Sequence, residues 1–280
     1  MLFSHGLRGS PERYAAALGG WAAAGFVVAA PFYPHTNEYA AHFDRADIVN
    51  QPRDAAYVIK KVRRLDGTPG DPLAGRIDAD QVAAVGHSAG GYTTAGLFAA
   101  NHPAWLRGGV IIAGWLAPGA FAGPPATVLF LHGDRDTVVP LASGRAAYEA
   151  AGSWTKSFVL LPDSWHADYM SPGGKAYPLM NAAVTDFLRW TLDNDRAARL
   201  RLPPAGARTL RPGEDDATPQ NGAHVSPYSR ALPCRCGRRG RPQFVWGRPA
   251  RSGAGVTYPQ RAGQPGSGTD RVVGDAEGSR

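Results

Sequence analysis

The segment Gly86-His87-Ser88-Ala89-Gly90 holds the only Ser of this chain that sits between an apolar run of strand type, Gln81–Val85, and a small-residue run of helix type, Gly91–Ala100. Such a strand–turn–helix turn is sharp. The residue at its apex takes a strained backbone conformation, and the residues two before and two after it must lack bulk if strand and helix are to approach. Both are Gly here. The same turn sets the backbone N–H of Ala89 at the start of the helix, where the positive end of the helix dipole favours a developing oxyanion. The chemistry implied is attack by the Ser88 hydroxyl on an electrophilic carbon.

A hydroxyl is a weak nucleophile at neutral pH, so it needs a base, and the base needs a group that fixes its tautomer. After the apolar run Leu129–Leu131 the chain reads His132-Gly133-Asp134-Arg135-Asp136-Thr137-Val138-Val139-Pro140. Asp136 lies beyond the carboxyl end of that strand, where an open parallel sheet places its functional groups. It is the favoured acid, with Asp134 its rival. Past the next strand, Pro162-Asp163-Ser164-Trp165-His166 puts a His on a loop just before the last long helix. The order Ser88, Asp136, His166 is the order this strand–turn–helix nucleophile calls for. Of the other histidines, His5, His87 and His132 adjoin these motifs without occupying the base position, and His35, His42, His102 and His224 lack that context.

These residues need a scaffold, and the hydropathy pattern supplies one. Strands are expected at Met1–Ser4, Phe26–Ala30, Gln81–Val85, Gly109–Ala113, Thr127–Leu131 and Ser157–Leu161, with helices from Pro11, at Asp47–Leu65, Gly90–Ala100, Ala142–Ala151 and Pro178–Leu200. Ser10 suits an N-cap with Pro11 at the first helical position, and Lys60, Lys61, Arg63 and Arg64 suit a helix C-terminus. Strands separated by helices imply βαβ units: an α/β fold with a mainly parallel sheet and helices on both faces.

Together, Phe3-Ser4-His5-Gly6-Leu7, Gly86-His87-Ser88-Ala89-Gly90, the His132–Pro140 segment and Ser164-Trp165-His166 resemble the α/β hydrolases. Within that family they are most similar to the lidless branch of platelet-activating-factor acetylhydrolases, chlorophyllase-type esterases and cutinase-like polyester hydrolases. The resemblance covers roughly residues 1–195. It implies hydrolysis of a carboxylic ester, small or polymeric, through an acyl-enzyme with no metal or cofactor. It also implies a second oxyanion N–H from Leu7 beside that of Ala89, and an aromatic flank for the ester at Trp115, for which plain packing under a loop is the alternative. About eleven residues separate Trp115 from the strand at Thr127, which leaves no room for a lid. The family has strands before the one that Met1–Ser4 matches. The resemblance therefore implies an N-terminally truncated sheet in which Phe26–Ala30 is an apolar, aggregation-prone edge. A truncated, non-catalytic remnant and an acyltransferase using the same triad are the competing readings.

Charge divides the chain. Residues 1–200 carry 17 basic and 17 acidic side chains and residues 201–280 carry 13 Arg and 6 acids, so the whole formal excess of +7 lies in the last eighty. With 10 Pro and 13 Gly and no sustained period, that zone is expected to be a disordered tail beyond a domain at 1–200. The basic balance consequently does not mark the folded part as a nucleic-acid binder. Cys234 and Cys236 both lie in the tail, without partners for a zinc site. No apolar run reaches the roughly 18 residues of a membrane span, and the first residues lack a signal peptide's basic and apolar regions. The expectation is a soluble, cytoplasmic protein as the chain stands, or a secreted one if the true start lies upstream.

Overall fold

In the computed structural model, residues 1–202 and the strand at 244–247 are described. The sheet is all parallel. Its strands are β1 (Leu2–Ser4), β2 (Val28–Pro31), β3 (Val82–His87), β4 (Leu106–Ile112), β5 (Thr127–Gly133), β6 (Thr155–Leu161) and β7 (Phe244–Gly247), in the order β6-β5-β4-β3-β1-β2-β7. The helices are α1 (Ala15–Ala23), α2 (Gln51–Leu65), α3 (Ala89–Leu97), α4 (Leu141–Ala150), α5 (Tyr177–Asp193) and α6 (Arg196–Arg201). From β1 the chain first steps outward to β2 and then returns to the other side for β3, so the strand order reverses between β1 and β3. In open parallel sheets the crevice at the carboxyl ends beside such a reversal is where ligands bind.

Burial on both faces explains the unbroken apolar runs of these strands. Leu129 and Leu131 pack on one side with Phe3, Val85 and Ile112, under Trp21 of α1 and Met180, Val184 and Phe187 of α5. Their neighbours Val128 and Phe130 pack on the other side, under Ala55 and Ile59 of α2, Ala95 of α3 and Ala147 of α4. Successive strand residues point to opposite faces, so one seven-residue strand serves two cores.

Several expected elements differ in their bounds. A short 3-10 turn, Pro11–Tyr14, precedes α1, and another, Arg45–Asn50, precedes α2. The expected helix Pro178–Leu200 is two helices. Asn194 takes the left-handed conformation (φ 55°) and ends α5, after which the Asp195 carboxylate accepts the N–H groups of Ala197 and Ala198 to start α6. Arg201 reaches back with a bidentate pair to Asp186, at 2.6 and 3.0 Å, and Leu202 is buried in the core. The folded unit therefore runs past the expected boundary at residue 200.

The outer edge of β2 also departs from expectation. The resemblance implies that it lies unpaired, yet it pairs in parallel with β7, from Val28 opposite Phe244 to Pro31 opposite Gly247. The stretch Phe244-Val245-Trp246-Gly247 is a short β-prone run inside an otherwise Arg/Gly/Pro-rich zone, and a parallel partner needs only backbone N–H and C=O groups in register. The rest of the expected tail, with Cys234 and Cys236, lies outside the described residues. Among the described residues no helix is long and apolar enough to cross a membrane.

Candidate active site

The structure builds the expected turn at Ser88. The residue sits between β3 and α3 with φ 57° and ψ −119°, a region that a residue with a side chain enters only under strain. The flanking glycines permit it by close approach. A Cβ on Gly86 would run into the carbonyl of Gly90, and one on Gly90 into the carbonyl of Ser4. Any side chain at Gly90 would thus force α3 away from β1. The Ser88 N–H is held by the Ile112 carbonyl of β4 at 2.9 Å, and its own carbonyl accepts the N–H groups of Gly91 and Tyr92, the start of α3.

At this apex the structure brings together the three residues that the sequence singles out. Ser88 Oγ lies 2.8 Å from His166 Nε2, and His166 Nδ1 lies 2.7 Å from Asp136 Oδ2. A carboxylate oxygen only accepts, so the His166 proton is on Nδ1 and Nε2 is left to accept the Ser88 hydroxyl proton. The Asp136 side chain is fully buried, whereas that of His166 remains 16% exposed. Its second oxygen, Oδ1, accepts the N–H groups of Val138 and Val139 at 2.9 and 2.8 Å. These bonds satisfy the buried charge and fix the plane of the carboxylate.

Asp134, the rival acid, stands elsewhere. Its Oδ1 accepts the N–H of Ser164 at 3.2 Å, which ties the loop after β5 to the loop that carries His166. His132 Nε2 is 3.5 Å from Asp136 Oδ2 but only 2.8 Å from the Val139 carbonyl. Burial first of all holds its pKa down, so it is a neutral ring donating to that carbonyl rather than a cation paired with Asp136.

Ala89 is the first residue of α3, directly after Ser88, so its N–H has no acceptor within the helix. Leu7 lies in the turn after β1, just beyond Gly6, whose Cβ position is 3.3 Å from Ser88 Cβ. That turn is tied down around Leu7: Arg8 N–H donates to Thr36, Gly9 N–H to the Gly6 carbonyl, and Glu38 N–H to Gly9. Trp115, on the loop after β4, is half-buried and packs against Tyr92, one helical turn beyond Ser88, with ring centroids 5.5 Å apart. This is packing on the helix that follows Ser88, and it accommodates both an ester-flanking and a plain packing role for Trp115. Leu116, Val138 and Trp165 are exposed on the loops after β4, β5 and β6.

In the sequence His5 and His87 adjoin site motifs without occupying the base position, and Tyr14 stands in no motif. All three are buried at the site. His5 Nδ1–H donates to the Gly6 carbonyl at 2.8 Å and its Nε2 accepts the Tyr33 N–H at 3.3 Å; burial lowers its pKa to about 4. Tyr14 and His87 bond to each other at 2.9 Å. The only signal in the sequence is that His5 and His87 each stand next to a site motif. A cleft of about 540 Å³, lined among others by His102, Arg107, Thr127 and Asn194, opens at the amino ends of β4–β6, and none of Ser88, Asp136 and His166 lines it. Among the described residues no group of three His, Cys, Asp or Glu side chains could hold a metal ion. Neither the known family models nor the curated proteins include one that matches this chain.

Proposed function

We propose that this protein is a serine hydrolase of the α/β-hydrolase kind that cleaves carboxylic esters through an acyl-enzyme. The observation that carries this reading is the unbroken bond chain from Ser88 through His166 to the buried Asp136, on a positive-φ elbow whose Gly contacts admit no side chain. In this reaction Ser88 Oγ attacks the ester carbonyl carbon while its proton passes to His166 Nε2. The carbonyl oxygen becomes an oxyanion facing the N–H groups of Ala89 and Leu7, which strengthens their hydrogen bonds as charge develops. Collapse breaks the bond to the alcohol oxygen, which leaves with the proton from Nε2. Water then attacks the acyl-Ser88 carbonyl, gives its proton to His166, and the acid departs as Ser88 recovers its hydrogen. Asp136 stays ionised throughout and stabilises the imidazolium formed in each half.

The exposed apolar side chains of Leu116, Val138 and Trp165 support an ester with an apolar acyl or alcohol part. The test is Ser88→Ala, expected to abolish hydrolysis of a p-nitrophenyl ester and labelling by a fluorophosphonate probe, with the labelled peptide of the unmodified chain carrying Ser88. Labelling at another Ser, or hydrolysis that survives the change, overturns the reading.

A further inference from the structure

We propose that Tyr14 and His87 are positioning residues, forming a buried hydrogen-bonded relay that holds the Gly6–Leu7 turn and the His166 backbone in register around Ser88. The proposal rests on the esterase reading above. The bond directions follow by elimination. His87 Nε2 lies 2.7 Å from the His166 carbonyl, which only accepts, so the His87 proton is on Nε2. A neutral ring then offers Nδ1 as an acceptor, and the group beside it, 2.9 Å away, is the Tyr14 hydroxyl, which donates its hydrogen there. The Tyr14 oxygen in turn accepts the Gly6 N–H at 3.1 Å. The relay reads Gly6 N–H to Tyr14, Tyr14 to His87, His87 to His166, and both nitrogens of His87 and the hydroxyl of Tyr14 are used.

Its place in the fold is what gives it leverage. Tyr14 comes from the turn before α1, His87 from the last position of β3, Gly6 from the loop after β1 and His166 from the loop after β6. Three separate elements thereby converge on the residue preceding the nucleophile. The Gly6 end precedes Leu7, the expected oxyanion donor, and the His166 end is the backbone of the base itself. Tyr14 and His87 are 7% and 3% exposed, so a missing member leaves a buried donor or acceptor unmatched rather than hydrated.

Burial, together with the Tyr14 hydrogen donated to Nδ1, keeps a second proton off His87. Its ring is 4.8 Å from that of His166, and a cation there would oppose the imidazolium that forms at His166 during the reaction. Burial first, and then His166, hold the His87 pKa down to about 3, while the His166 carbonyl and Asp136 pull it upward and His132 adds to the lowering. Around Tyr14, burial raises the pKa to about 12, with the Gly6 bond and Arg13 opposing and Glu38 assisting, so its hydroxyl keeps its hydrogen.

Tyr14→Phe removes one oxygen and keeps the ring that packs on Phe3. For p-nitrophenyl acetate, kcat is expected to fall about 10- to 100-fold, with KM within about twofold, because misplacing reacting groups by a fraction of an ångström costs rate rather than substrate binding. Affinity for a trifluoromethyl ketone should fall in parallel with kcat/KM. Combined with His87→Leu, the two losses should be far from additive. Independently of activity, nitrogen-15 NMR of the histidine rings should find His87 as the Nε2–H tautomer down to pH 5, and titrating at higher pH in Tyr14→Phe. An active chain whose kcat survives Tyr14→Phe, or an Nδ1–H tautomer at His87, overturns the relay alone. A chain that neither hydrolyses the ester nor takes up a fluorophosphonate overturns the esterase reading, and the relay's role with it.

Discussion

The elbow at Gly86–Gly90 and the two loops that carry Asp136 and His166 meet at one point, but different forces hold them. At the elbow the determinant is shape: backbone lies against backbone, and the conformation at Ser88 follows because strand and helix can close only on glycine. At the loops of Asp136 and His166 the determinant is polar pairing. Asp136 is fixed by two N–H groups and His166, Asp134 by Ser164, and His132 by Val139. Steric fixing is all-or-none because cores resist overlap steeply, whereas hydrogen bonds can be removed one at a time for about 1 kcal/mol each. The placement of Ser88 should therefore be lost together with the fold, and the placements of Asp136 and His166 lost while the fold remains.

The largest expected effect tests the steric side. Gly90→Val sets a branched side chain against the Ser4 carbonyl, where neither β1 nor α3 can yield. The variant should give little soluble folded protein, followed by circular dichroism and soluble yield. A normal melting curve would mean that the elbow is not sterically held.

Asp136→Asn tests the polar side. The Asn side-chain oxygen can still accept the Val138 and Val139 N–H groups, but its amide nitrogen cannot accept the proton of His166 Nδ1. The melting temperature should change by only a few degrees while kcat falls about 10⁴-fold, the cost of a wrong His tautomer. Equal losses of stability and rate would erase the contrast with Gly90.

Acid should act on the polar side through buried rings. His5 and His87 are held at about 4 and about 3, and the same groups in the unfolded chain bind protons near their ordinary value of 6.5. Between those values the unfolded chain carries protons that the folded chain excludes. The stability that these two rings contribute is thus fully present above about pH 6.5 and falls as pH drops, by roughly 1.4 kcal/mol per unit for each ring. Urea midpoints should decline more steeply from pH 6 to 4, where both rings act, than from pH 8 to 7, where the buried Met1 amine, lowered by burial to about 5, is the contributor. A midpoint constant down to pH 5 would mean that these rings are not neutral braces.

The smallest effect is expected at Asp134→Asn, since the replacement retains an oxygen able to accept the Ser164 N–H. A loss of at most about tenfold in kcat is expected from one weakened neutral bond. A loss matching that of Asp136→Asn would show that the base loop depends on the Asp134 charge.

Local features of the residues were legible without coordinates. Gly-x-Ser-x-Gly between an apolar run and a small-residue run encodes its own turn, because the constraint acts within five residues. The alternation that predicts a parallel sheet is equally local, as each strand must be apolar on both faces to lie under two layers of helices. Where helices stop was less legible. Asn194 disfavours a helix interior only mildly, so the break shows only in the left-handed cap, with Asp195 following, that divides α5 from α6.

By itself, then, the sequence determined the α/β class, the elbow at Ser88 and the chain order of Ser88, Asp136 and His166. Each follows from short-range sterics or from the period at which side chains alternate. The sequence favours Asp136 over Asp134, but tertiary structure is what brings the Asp136 carboxylate to His166, for two carboxylates on one loop differ mainly in the direction that the folded loop gives them. Tertiary structure likewise decided that Phe244–Gly247 lies beside β2, and that Tyr14 meets His87 across 73 residues of chain. Contacts between distant segments carry no local pattern, because they depend on where packing of both sheet faces sets the ends of the strands.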